Sequence, residues 1–156
     1  MEPPLHDDLA ELAFLLGTWR GQGEGVWPGA EDFRYGEEMT FEHVGDAFLL
    51  YGQRSWSLDD EAPIHFERGF LRPVAPGHVD LVLAHPIGVS EVAEGTLAGG
   101  VLDVASTSVG VAETGSAVTE LHRHLEVDGD VLTYELRMAM REVPLRFHVR
   151  GRLTRV

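Results

Sequence analysis

Along most of this chain apolar positions recur every second residue, in short segments separated by Gly, Pro and Asp. Such alternation marks strands that bury one face. It predicts strands over 18–27, 33–44, 47–57, 63–73, 78–86, 88–96, 100–108, 117–127, 130–140 and 145–155. Asp128-Gly129 is the strongest hairpin signal, because glycine accepts a positive φ without a Cβ clash. Pro76-Gly77 and Gly99-Gly100 also read as tight turns. One stretch departs from period two. Residues 7–16 gather Leu9, Leu12, Phe14, Leu15 and Leu16 on one broad side, with Asp7 or Asp8 placed to cap a helix start and Gly17 to end it. About ten sequential antiparallel strands behind a short N-terminal helix predict an all-β fold: one up-and-down β-barrel domain over residues 1–156. Closure removes exposed edges, and a barrel of that many strands is wide enough to hold a small ligand.

Composition narrows the functions open to such a barrel. Apolar residues make up 44% and charged residues 24%, an ordinary globular balance. The formal charge of −14 repels phosphate backbones and anionic lipid, so neither nucleic acid nor membrane is an expected partner. Without cysteine there are no disulfides, thiolate nucleophiles or iron–sulfur ligands, and without lysine there is no Schiff-base chemistry. No apolar run approaches the roughly 20 residues that span a bilayer. The start, Met-Glu-Pro-Pro-Leu-His-Asp-Asp, lacks the basic and apolar regions of a secretion signal, and the expectation is a cytoplasmic protein.

Candidate chemistry rests on glycines, histidines and arginines. Gly17-Thr-Trp19-Arg-Gly21-Gln-Gly23 opens the first strand; its glycines let the strand coil and let a neighbour approach, while Trp19 would plug one barrel end. The glycine spacing is not flanked strand-then-helix, so it is not a nucleotide loop. His6 and His78 read as solvated. His122 and His124 share one strand face, which suits either solvent or a metal awaiting a third ligand. His85, in Leu-Ala-His-Pro-Ile-Gly, stands where a strand breaks, at a barrel rim and over a possible pocket entrance. Glu37-Glu38 and Asp59-Asp60-Glu61 read as solvated charges, the first pair on opposite faces of a strand. In the last strand, alternation puts Leu145, Phe147, Val149 and Leu153 on one face and Arg146, His148, Arg150 and Arg152 on the other. His148 then either faces solvent among arginines or offers a nitrogen lone pair to a metal, with the arginines keeping it neutral.

Taken together, several segments resemble the nitrobindin family of small haem-binding β-barrels. The resemblance begins at Leu-Leu-Gly-Thr-Trp-Arg-Gly-Gln-Gly-Glu-Gly (15–25), which fits a Gly-x-Trp-x-Gly-x-Gly signature. It continues through Phe-Arg-Tyr-Gly-Glu-Glu-Met-Thr-Phe (33–41), Glu-Arg-Gly-Phe-Leu-Arg-Pro (67–73) and Leu-Ala-His-Pro-Ile-Gly-Val-Ser-Glu-Val (83–92). It ends at Leu-Arg-Met-Ala-Met (136–140) and Pro-Leu-Arg-Phe-His (144–148), so it spans nearly the whole chain in order. The family's usual His-His pair is Phe147-His148 here, and the second position matches the ligand.

The resemblance implies a ferric haem b whose iron is held by His148, an isomerase converting peroxynitrite to nitrate, and nitric oxide as a further iron ligand. It implies a second haem contact at Arg123. The bond-making chemistry would belong to the cofactor, at an iron with one axial side open. Six of the twelve arginines fall in the last twenty residues, where they could attract an anion or pair with haem propionates. A two-residue turn before the last strand places the apolar faces together, opposite His148; a three-residue turn or a bulge near Arg141–Pro144 brings Met138 beside it. The second register is favoured because it gives haem an apolar wall. Two other readings remain: a carrier of a fatty acid or similar apolar anion, and a haem-based sensor of nitric oxide or peroxynitrite without turnover. Either a monomer or a homodimer is compatible with the sequence.

Overall fold

A computed structural model describes residues 1–156 as one closed, ten-stranded antiparallel barrel. A 3-10 helix (Asp7–Leu15) precedes β1 (Gly17–Gly25), β2 (Phe33–His43), β3 (Leu49–Ser57), β4 (Pro63–Ala75) and β5 (His78–His85). Then follow β6 (Val89–Ala98), β7 (Val101–Val111), β8 (Val118–Asp128), β9 (Val131–Met140) and β10 (Val143–Arg155). Each strand pairs with its sequence neighbours, and β1 pairs with β10 to close the ring. The ten strands expected from period two are therefore present in order. No helix is long and apolar enough to cross a membrane.

The expected short N-terminal helix is present, and it is of the 3-10 kind. Leu9, Leu12 and Leu15 are fully buried at a spacing of three, which is the period of a 3-10 turn, while Phe14 and Leu16 are only partly covered. Its start is capped by His6, whose Nδ1 accepts from the Asp8 amide at 3.2 Å, rather than by Asp7 or Asp8. Gly17 ends it at φ +118°.

The two ends of the barrel are unlike. At one end the helix packs with Trp19, Leu49, Leu71, Leu132 and Leu153 in a fully buried cluster, so Trp19 does plug the barrel. Its indole Nε1 donates to the Leu15 carbonyl at 2.8 Å, and the Arg155 guanidinium lies 4.1 Å over the ring. At the other end a smaller cluster of Val89, Val118, Leu121 and Met138, bordered by Trp27, Ile87 and Leu136, lines an open mouth.

Close approach of β1 to its partner depends on glycine at one position. A Cβ at Gly21 would stand 2.0 Å from the Arg152 carbonyl oxygen, and no flexible side chain is there to yield. Gly21→Ala is expected to destabilise the barrel by about 3 kcal/mol, through forced backbone shifts at the closing seam. Urea denaturation measures this; an unchanged midpoint would contradict the close β1–β10 contact.

Candidate functional site

The cavity occupies the open half of the barrel, with a volume of about 210 Å³ and a mainly apolar lining that includes Trp27, Phe33, Leu136, Met138 and Val149. His148 lines it too. It does so because β10 is irregular. Met140 pairs with Val143 and Met138 with Arg146, so one bulge follows the two-residue turn. Arg137 then pairs with Phe147 but Leu136 with Val149, which leaves His148 as an extra residue at a second bulge. Simple alternation fails there, and His148 and Val149 both reach the cavity. Phe147 turns away, its ring under the Arg150 guanidinium. The expected bulge near Arg141–Pro144 exists, but it sets Met138 opposite Arg146. Met138 shares the cavity lining with His148 rather than pairing with it in the ladder.

His148 is clamped twice to the segment after β1. Its carbonyl accepts from the Val26 amide at 2.8 Å, and its Nδ1 lies 2.7 Å from the Val26 carbonyl. A carbonyl only accepts, so Nδ1 carries the proton and the neutral ring keeps its lone pair on Nε2. Trp27 stands edge-on, 5.7 Å between ring centroids. Burial lowers the imidazole pKa below its ordinary value, against the Val26 hydrogen bond, and His65 and Arg123 push the same way. The strand's own arginines are not the cause, because Arg150 faces outward onto Glu24 at 2.6 Å.

Opposite β10 in the ring, β4 and β5 supply charge. Inward alternation on β4 brings His65 and Glu67 to the cavity, while Phe66 and Phe70 face outward. His85, expected at a rim, ends β5 inside the mouth with its side chain 6% exposed. Its Nε2 lies 2.8 Å from Glu91 Oε1, and its Nδ1 lies 3.3 Å from both His65 Nε2 and Glu67 Oε2. Arg123 enters from β8 and bonds both Glu91 and Glu67, the latter at 3.3 Å. Burial acts to raise the Glu67 carboxyl, but Arg123 and the two histidines hold it well below the usual carboxylate range. Tyr51 donates to its other oxygen at 2.6 Å.

Glu37 is a further correction, since it is 1% exposed rather than solvated. Tyr134 and Gln53 donate to its Oε2 at 2.7 and 2.8 Å, and burial raises its pKa to about 7. Its neighbour Glu38 does face outward, between Arg20 and Arg54. Gly23 makes room for the Tyr35 ring, which a Cβ would meet at 2.4 Å, so Gly21 and Gly23 serve closure rather than a ligand. His122 and His124 point away from the cavity onto Glu120, and onto Asp103 and Glu126. The C-terminal arginines do not form one rim cluster: Arg155 ties the Phe14 and Leu16 carbonyls at the closed end, while Arg146, opposite Met138, and Arg141, whose amide bonds the Ala117 carbonyl, lie near the mouth. Glu67 and Glu91 fall in the 67–73 and 83–92 segments that carry the resemblance, but neither was singled out as a site residue.

Residues 8–155 match the model of the THAP4-like, heme-binding beta-barrel domain. The chain belongs to this haem-binding barrel family. The expected cofactor is therefore haem, and the site fits it: a neutral imidazole with its free nitrogen on a mainly apolar cavity. The chain is 46% identical to "Peroxynitrite isomerase 2" of Mycobacterium marinum over 159 residues, covering 99% of each protein. It is 48% identical to "Peroxynitrite isomerase" of Nocardia farcinica, covering 97% of this chain and 92% of that one. The crystal structure of Rv2717c from M. tuberculosis superposes with a TM-score of 0.92 at 41% identity, covering 98% of this chain and 99% of that one.

Two expectations follow from the buried charges. Folded Glu37 keeps its proton between pH 4.5 and about 7 while the unfolded chain loses it, so stability falls as pH rises through that window. Glu37→Gln should remove that loss, on the order of 3 kcal/mol, flattening the melting temperature from pH 5 to 8; an unchanged slope would refute the assignment. Arg123→Ala leaves Glu67 and Glu91 unpaired and should cost roughly 3–5 kcal/mol in denaturant titration. A neutral result would show that these carboxylates do not need it.

Proposed function

We propose that this chain binds ferric haem b through His148 and isomerises peroxynitrite to nitrate, with nitric oxide as an alternative iron ligand. The observation that carries the reading is the His148 bulge, which turns an unprotonated, oriented Nε2 onto an apolar cavity. When bound, ferric haem would supply a Lewis-acidic iron able to take an anion.

The chain's own residues hold and shield that group. The Val26 carbonyl fixes the imidazole's tautomer and strengthens it as a donor, as a hydrogen bond behind a ligating histidine does. Burial keeps the ring neutral when the surroundings turn mildly acidic. Met138, Leu136 and Val149 offer a dry wall to a flat macrocycle. Arg123 serves the pocket by offsetting part of the charge of Glu67 and Glu91, which repels an anion. Arg141 and Arg146 near the mouth give an anion or a propionate a local positive site on a protein of charge −14. A fatty-acid carrier fits less well, because Arg123 is the one arginine lining the cavity and two carboxylates already occupy it.

Hemin titration of the purified protein should give stoichiometric uptake with a Soret band that His148→Ala abolishes. Stopped-flow mixing of the hemin-loaded protein with peroxynitrite should speed its decay at least tenfold, with nitrate as product. Uptake without acceleration would leave a sensor; no uptake, with tight fatty-acid binding, would leave a carrier and overturn the proposal.

A further inference from the structure

The wall facing His148 carries a donor set that haem ligation by that residue does not use. His65 Nε2, Glu67 Oε2 and His85 Nδ1 are separated pairwise by 3.3, 3.3 and 3.5 Å. Ligand atoms about 2.0–2.1 Å from a tetrahedral zinc stand roughly 3.3–3.4 Å from one another, so these three already outline one face of such a shell. We propose that His65, Glu67 and His85 form a site for a divalent transition-metal ion such as zinc, with the fourth position open to the cavity.

The surroundings match what a metal needs. Glu91 holds His85 Nε2 at 2.8 Å, which makes Nε2 the protonated nitrogen and frees the Nδ1 lone pair toward the other two donors. Tyr51 holds the second oxygen of Glu67, orienting the carboxylate. Glu67 and Glu91 are two carboxylates against one guanidinium, and buried Glu91 Oε2 has no hydrogen-bond partner. The cluster thus holds one more negative than positive group when both histidines are neutral. Arg123 makes its shorter contact with Glu91, so it can keep that partner while Glu67 Oε2 turns to a metal. Two imidazoles and one carboxylate select zinc, cobalt or iron rather than calcium or magnesium, which take oxygen ligands.

The donor set excludes His148, and its test separates the two sites. Full-length protein stripped with a chelator is titrated with cobalt(II), whose visible absorption reports tetrahedral nitrogen and oxygen ligation. One equivalent should bind with tetrahedral bands. His65→Ala and His85→Ala should each weaken binding at least tenfold, and Glu91→Gln by roughly 10–100-fold. His65 is the more exposed of the two histidines, at 29%, so His65→Ala, checked by cooperative thermal unfolding, reports on the site without a core defect. The His148→Ala protein should bind cobalt(II) as the parent does while losing hemin, and His122→Ala with His124→Ala should change nothing. Absence of one-equivalent binding overturns the proposal, and so does binding that survives in His65→Ala and His85→Ala or disappears in His148→Ala.

Discussion

His148 enters the cavity because β10 carries one residue more than β9 at that point, and the hydrogen bond from Nδ1 to the Val26 carbonyl holds it there. A regular strand would send this side chain out beside Arg150 and leave the β9–β10 wall of the cavity without a nitrogen donor. A bulge normally costs ladder hydrogen bonds. Here the His148 carbonyl recovers one from the Val26 amide, so the irregularity and the segment after β1 stabilise each other. Gly25 belongs to the same arrangement, since a Cβ there would collide with Val149, Phe33 and the His148 carbonyl.

The rest of the interior is divided by the same logic of burial. The closed end is dry, with Trp19 and the leucines of the 3-10 helix filling the space between strands. That packing frees the open half from structural duty and lets it hold polar groups. Yet the charged groups there are not loose. Glu67, Glu91 and Arg123 form a connected buried set with Tyr51, His65 and His85, in which removing one member leaves the others uncompensated. Glu37, by contrast, has no cation, and burial raises its pKa to about 7, so below that pH it holds a proton.

Much of this was legible in the sequence. Period two located all ten strands, since each barrel strand buries one face, and Trp19 declared itself through the glycines around it. His148 was singled out as the candidate ligand through the resemblance of the chain's segments rather than through alternation, because a single-residue bulge leaves no periodic trace. The buried acids stayed hidden for a related reason. On β4 the outward positions are Phe66 and Phe70 and the inward ones include His65 and Glu67, so the apolar pattern points away from the core. Glu37 looked like a surface charge because its neighbour Glu38 is one.

The order of strands in the ring explains how one small cavity can hold two kinds of donor. Counting around the barrel, β5 lies five strands from β10 in either direction, so His85 and His148 come from opposite walls. A neutral imidazole ringed by Trp27, Met138 and Leu136 suits a large, flat, apolar ligand with a single metal at its centre. The opposite wall presents a carboxylate, two imidazoles and a guanidinium, which suit a small ion or the polar end of a ligand. Because β10 carries His148 while β4 and β5 carry His65, Glu67 and His85, a substitution on one wall need not move the other.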